Sequence, residues 1–215
     1  MDRRARLHAA RLYLVTPAII PARLEAALDG GVDIVQLRVK DPADDAALLR
    51  EAAVIQAACA RRGVLFILND RPDLVGAANA DGVHLGQDDM DVASARTMIG
   101  SEALIGLSTH APPQIDAAPR AAGGVDYIGV GPVHATPTKP GRPAVGLELV
   151  AYAAACATLP WFAIGGVDAL TVAAVREAGA DRVAVVRAIT EAEDPEAAAR
   201  ALRAALSEEQ RVGIT

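Results

Sequence analysis

The sequence predicts an α/β protein folded as a single (βα)8 TIM barrel, and three observations carry that expectation. A phrase of small residues, aspartate and an apolar run recurs four times, short β-rich runs fall between the recurrences, and small apolar residues dominate the chain. Hydrophobic residues make up 52% and aromatics only 3%, which suits closely packed strands and helices better than an aromatic binding platform. The recurrences read Gly-Gly-Val-Asp-Ile-Val-Gln-Leu-Arg from Gly30, Asn-Ala-Asp-Gly-Val-His-Leu-Gly from Asn79, Gly-Gly-Val-Asp-Tyr-Ile-Gly-Val-Gly from Gly123 and Ala-Gly-Ala-Asp-Arg-Val-Ala-Val-Val from Ala178. Their aspartates, Asp33, Asp81, Asp126 and Asp181, are 48, 45 and 55 residues apart. Each gap is too long for one strand-helix unit and fits two, so four recurrences imply eight units.

Each element follows from that frame. Glycine near a helix C-terminus, then aspartate and an apolar run, marks the start of a strand, which places four strands directly after the four aspartates. The intervening strands are Leu12 to Thr16, Leu65 to Asn69, Leu104 to Ser108 and Trp161 to Gly165, each followed by a turn and a helical stretch. A closed parallel barrel wrapped in helices removes sheet edges and buries apolar strands on both faces. An open doubly wound sheet is the competing arrangement, because periodicity alone does not show closure. Residues 1–215 are expected to form one domain, with 1–11 as an N-terminal extension over the barrel bottom and 208–215 as a frayed tail.

Charge and composition exclude several classes. With 27 acidic and 21 basic side chains the formal charge is -6, so no nucleic-acid or anionic-lipid partner is expected, and any anion must be held by a local cluster. No apolar run approaches the roughly 20 residues needed to cross a bilayer, which points to a cytoplasmic protein with no membrane partner. Cys59 and Cys156 lie in Ala-rich helical stretches without metal-type spacing and read as small buried hydrophobes.

In this fold chemistry is built at the C-terminal ends of the strands, so the four aspartates, at the other end, are assigned no catalysis. The unusual polar residues do fall at C-terminal ends. In the second strand Gln36, Arg38 and Lys40 alternate with Val35, Leu37 and Val39, which sends the polar three into the lumen. Two cations there require an anionic partner, either a protein carboxylate or a ligand. Asn69-Asp70 closes the third strand and Gly86-Gln87-Asp88-Asp89 follows the fourth, a set of hard oxygen donors suited to Mg2+ where a diphosphate completes the shell. Taken singly these are also turn and cap residues, with Asp88 or Asp89 as the expected cap of the next helix. Ser108 ends the fifth strand as a ligand hydrogen-bond donor or a cap. The Pro-rich segment from Gly131 to Pro143 reads as a phosphate-gripping lid or a stiff connector. Ile164-Gly165-Gly166 and Val185-Val186-Arg187 end the last two strands, where TIM barrels often hold phosphate on backbone N–H groups. Two phosphorylated small-molecule substrates are implied.

Over essentially the whole chain these residues resemble the thiamine-phosphate synthase family. The resemblance is carried by Leu12-Tyr13-Leu14-Val15-Thr16, Gln36-Leu37-Arg38-Val39-Lys40-Asp41, Asn69-Asp70-Arg71, Asp81 to Asp89, Ser108-Thr109-His110, Gly131-Pro132-Val133 with Thr136-Pro137-Thr138-Lys139, and Ile164-Gly165-Gly166. It implies that Gln36, Arg38, Lys40 and Asn69 hold hydroxymethylpyrimidine pyrophosphate, that Asp70 and Asp89 bind Mg2+, and that Ser108 and Lys139 contact the pyrophosphate. Thr136, Pro137 and Thr138 would hold the thiazole phosphate, whose phosphate group would rest on Gly165, Gly166, Val186 and Arg187. Val39, His134 and Arg187 depart from the residues usual in that family. Two rival readings are a thiazole tautomerase, working through a histidine near His110 or His134, and a noncatalytic sensor of phosphorylated thiamine precursors.

Overall fold

The structure, a computed structural model, describes residues 2–39, 44–135 and 143–207. Eight parallel strands close on themselves in sequence order: β1 (Leu12–Thr16), β2 (Ile34–Leu37), β3 (Leu65–Asn69), β4 (Gly82–Leu85), β5 (Leu104–Thr109), β6 (Tyr127–Val130), β7 (Trp161–Ile164) and β8 (Val183–Val185). Closure is made by β8 against β1, with Leu12, Tyr13 and Leu14 level with Val183, Ala184 and Val185. The expected TIM barrel is therefore the observed fold, and the open sheet is not.

Around it lie α1 (Arg3–Ala9), α2 (Pro21–Asp29), α3 (Asp45–Arg62), α4 (Val92–Ile99), α5 (Pro112–Ala117), α6 (Gly146–Cys156), α7 (Val172–Glu177), α8 (Arg187–Thr190) and α9 (Pro195–Ser207). Not every strand leads into an α-helix. After β3 the chain makes only a 3₁₀ turn, Pro72–Leu74, because the connection 70–81 is short. The helix after β4 is capped by Asp91, whose Oδ1 accepts from the Ser94 N–H at 3.0 Å, not by Asp88 or Asp89. Cys59 is buried as expected, but Cys156, the last residue of α6, is exposed.

Period-two alternation divides the core into two shells. Val35, Leu37, Val83, Leu85, Ile128 and Val130 point outward into the layer between strands and helices. Tyr13, Val15, Ile34, Leu65, Ile67, Leu104, Tyr127, Phe162 and Ala184 fill the lumen. Phe162 meets Tyr13 and Tyr127 edge to face, with centroids 5.3 and 5.9 Å apart, the geometry that brings positive ring edges to negative ring faces.

The bottom of the barrel explains the repeated aspartates. The Asp33 carboxylate accepts from the Leu12 N–H at 3.0 Å, Asp81 from Phe66 at 3.0 Å, and Asp126 from Ile105 at 2.8 Å. Each thus satisfies a strand-start donor on the preceding strand that would otherwise be orphaned. Arginines compensate the charge: Arg3 and Arg6 on Asp81, Arg4 and Arg96 on Asp126, Arg11 on Asp181. Three of these cations come from α1, which lies across the bottom and drives Leu7, only 1% exposed, into the lumen.

Candidate active site

At the opposite end the strands open into a cavity of about 310 Å³. Of the expected site residues, Gln36, Arg38, Asn69, Ser108, Gly165, Gly166, Val186 and Arg187 line it together. Lys40, Thr136, Pro137, Thr138 and Lys139 lie outside the described residues. Gln36 points inward from β2, 3% exposed, while Val39 packs against the outer core, as alternation requires. Arg38 leaves the end of β2 with its N–H donated to the Thr16 carbonyl.

Asp70 and Asp89 come together from adjacent strand ends. Asp70 follows β3 in a left-handed conformation, φ 59°, and its N–H is held by the His84 carbonyl at 2.9 Å. A non-glycine residue there costs roughly 1 kcal/mol, so the tertiary contact fixes an aspartate in a conformation its own sterics oppose. Asp89 is reached through a tight turn in which its Oδ2 accepts from the Gly86 N–H at 2.7 Å. Crowding at the rim holds the Asp70 carboxyl up at about 6: burial contributes most, then the hydrogen bond with Asp89 and its negative charge, while Arg38 and the Asn69 amide pull the other way. Two acids and one cation thus act on each other at the expected place. Among the described residues no cluster of three or more His, Cys, Asp or Glu could hold a metal, so a cation bound by these two carboxylates would draw its remaining ligands from elsewhere.

The other side of the cavity is backbone-rich. Gly165 and Gly166 both have positive φ, 105° and 63°. A Cβ at Gly165 would lie 2.6 Å from Pro132 Cα and one at Gly166 would lie 2.6 Å from His134 Cβ. Glycine here lets the segment after β6 close against the end of β7, where the Val133 and His134 N–H groups donate to Ile164 and Gly165 carbonyls at 2.8 and 3.0 Å. His134, at the position that departs from the usual aromatic, has a buried Nε2 without a hydrogen-bond partner among the described residues. Arg187, exposed, opens α8 beside Val186.

Sequence reasoning missed the residues beneath this mouth. Tyr13, His84 and Tyr127 line the cavity too. The Tyr13 hydroxyl donates to Gln36 Oε1 at 3.0 Å and shares a hydrogen bond with the Tyr127 hydroxyl at 2.9 Å. His84 joins Tyr127 Oη through Nδ1 at 3.2 Å and Ser108 Oγ through Nε2 at 3.0 Å. Burial pushes both phenols above their ordinary value, so they stay protonated. The signal for His84 was present: it stands three residues after Asp81, as Gln36 stands three after Asp33.

A closed barrel with its cavity at the C-terminal mouth, acids and a cation on one side and glycine-rich backbone on the other, defines a TIM barrel of the enzyme type. The family model for thiamine monophosphate synthase matches residues 12–189, and the chain belongs to that family. It is 50% identical to a thiamine-phosphate synthase of Arthrobacter sp. (strain FB24), across 96% of this chain and 98% of that one. A relative of the same description from Nostoc punctiforme is 53% identical over 86% of this chain but is longer, the match spanning 52% of it. Among solved structures, a thiamine phosphate pyrophosphorylase from Pyrococcus furiosus superposes with a TM-score of 0.83 at 29% identity, over 95% of this chain and 98% of that one.

Proposed function

We propose that the chain has thiamine-phosphate synthase activity, joining 4-amino-2-methyl-5-hydroxymethylpyrimidine pyrophosphate to thiazole phosphate to give thiamine monophosphate and pyrophosphate. One observation carries the reading beyond family membership: Arg38, Asn69, Asp70 and Asp89 converge beside a cavity whose far wall is Gly165, Gly166, Val186 and Arg187. A group of acids with a cation and a backbone-lined group ending in Arg187, on one opening, suit two phosphorylated reactants held side by side.

The residues fit Mg2+. Burial and then the neighbouring Asp89 hold the Asp70 carboxyl up at about 6, a penalty that a divalent cation between hard oxygen donors offsets. Bound there with a diphosphate, Mg2+ would neutralise charge on the leaving group. Arg38 contributes to the same end from β2, and Lys40 and Lys139 are assigned to it by the resemblance. Gln36 and Asn69, fixed by hydrogen bonds to each other at 2.6 Å, orient the pyrimidine. Ser108 contacts the pyrophosphate. Thr136, Pro137 and Thr138 hold the thiazole phosphate, with Gly165, Gly166, Val186 and Arg187 at its phosphate group.

With the leaving group neutralised, the bond from the pyrimidine methylene carbon to diphosphate oxygen breaks, and the electron-rich aminopyrimidine ring spreads the positive charge. The thiazole nitrogen then forms the new bond. The protein's part is alignment and charge neutralisation, so neither a nucleophilic side chain nor a strong base is required. The test is direct: incubate the purified protein with both substrates and Mg2+, and follow pyrophosphate and thiamine monophosphate. Both products appearing together supports the reading. Thiazole isomerisation alone points to the tautomerase, and tight binding without product to the sensor.

A further inference from the structure

The hydrogen bonds under the mouth run in one direction only. Asn69 gives its Nδ2 proton to the Asp70 carboxyl. Asn69 Oδ1 then accepts from Gln36 Nε2 at 2.6 Å, which leaves Gln36 Oε1 to accept from Tyr13 at 3.0 Å. Tyr13 has now spent its single proton, so the 2.9 Å bond between the phenols must be donated by Tyr127. Tyr127 has likewise spent its own. The 3.2 Å contact therefore needs a proton on His84 Nδ1, and a neutral His84 must accept through Nε2 from the Ser108 hydroxyl at 3.0 Å.

We infer that Tyr13, Tyr127 and His84 are positioning residues that, with Gln36, Asn69 and Ser108, form one directed hydrogen-bond chain across the lumen, anchored on the Asp70 carboxylate. The chain fixes the orientation of the Gln36 amide and the tautomer of His84. It also commits the Ser108 proton inward, so that Ser108 faces the cavity as an acceptor; contact with a diphosphate oxygen then requires its hydroxyl to turn away from His84. None of the three needs to touch a reacting atom.

The inference is tested by long-range proton–nitrogen NMR on protein labelled with ¹⁵N-histidine, without ligand and at pH 8, with His84 identified by loss of its signals in His84→Gln. The wild type should carry its proton on Nδ1. In Tyr13→Phe, Tyr127 loses its acceptor, turns its proton to Nδ1, and His84 should switch to the Nε2–H tautomer. A wild-type His84 protonated on Nε2, or on both nitrogens, overturns the inference, as does an unchanged tautomer in Tyr13→Phe. The wild-type spectrum decides even if the variant fails to fold, and this readout does not depend on the proposed reaction. A second readout does rest on it. Left with Asn69 as its one partner in the chain, Gln36 should be held less firmly and raise KM for the pyrimidine pyrophosphate about tenfold, the worth of roughly one hydrogen bond, with KM for thiazole phosphate within about twofold. Equal changes in both constants, in a protein shown to make thiamine monophosphate, count against the role assigned to Tyr13.

Discussion

Replacing Gly106 by alanine separates two physical accounts of one residue. At an ordinary strand position with negative φ, glycine to alanine stabilises by about 0.4–1 kcal/mol because the unfolded chain loses freedom. Gly106 is not ordinary. It pairs with His84 on one side and Tyr127 on the other, and these two side chains cross over it to reach each other. A Cβ there would overlap the Tyr127 phenol and come within 2.5 Å of His84 Nδ1. Tyr127 cannot retreat, since it is 1% exposed and wedged against Phe162 and Tyr13. Overpacking a dense core costs about 1–3 kcal/mol, and losing the Tyr127–His84 bond adds about 1 kcal/mol. The expected net is a destabilisation near 2–3 kcal/mol, or roughly 4–12 °C in Tm for a chain of this size. Thermal and urea unfolding would measure it, with turnover assayed at 25 °C, where a disturbed Ser108–His84 pair should lower kcat/KM by about tenfold. A variant as stable as the wild type, or more so, with unchanged kcat/KM would refute the reasoning that glycine is here for the crossing above it.

Four further outcomes follow from the same structure. Leu7→Ala should destabilise by about 2–5 kcal/mol in urea titrations, because the strands around Leu7 cannot collapse into the space it leaves, while activity at 25 °C stays near wild type since the site is at the other end. Asp89→Ala should fold yet lose most turnover and its Mg2+ dependence. In the wild type, Asp70 is raised to about 6, so its contribution to stability is fully present below its ordinary value near 3.8 and is lost as pH rises through about 6. Mg2+ affinity, which needs the ionised form, should rise over the same window, and in Asp89→Ala the stability change should shrink when followed by unfolding at pH 4 to 7. Arg187→Ser should raise KM for thiazole phosphate with little change for the pyrimidine substrate; equal shifts in steady-state kinetics would remove Arg187 from the phosphate end.

Much of the barrel was legible because it depends on period. Alternation in Val35-Gln36-Leu37 sends Gln36 inward and its neighbours out, and the spacing of Asp33, Asp81, Asp126 and Asp181 counts strands in pairs. The exception after β3 was hidden because a strand-helix rhythm says nothing about a connection too short to hold a helix. In the site, residues that carry charge stood out, whereas Tyr13 and Tyr127 looked like ordinary strand aromatics. Their importance lies in the neighbour each hydroxyl meets across the lumen, Gln36 for one and His84 for the other. Such pairings depend on barrel register, which a single strand's pattern does not contain. His84 could have been found by aligning the recurrences, since Gln36, His84, Gly129 and Ala184 share one place in the repeat and all four line the cavity.

The same residue type does opposite work at the two ends of the barrel, and the difference locates function without any appeal to chemistry. Asp33, Asp81 and Asp126 each meet a backbone donor and at least one arginine, so their charge is answered within the protein. Asp70 and Asp89 meet each other, with Arg38 as a partial offset, and Asp70 sits in a left-handed conformation besides. A fold that compensates its aspartates so fully at the bottom has the means to do so at the top. Leaving that pair under mutual repulsion, next to an open cavity, makes sense where an incoming cation supplies the missing positive charge. The directed chain below the pair starts from the same carboxylate, since Asn69 gives its Nδ2 to Asp70 and so turns its Oδ1 to Gln36.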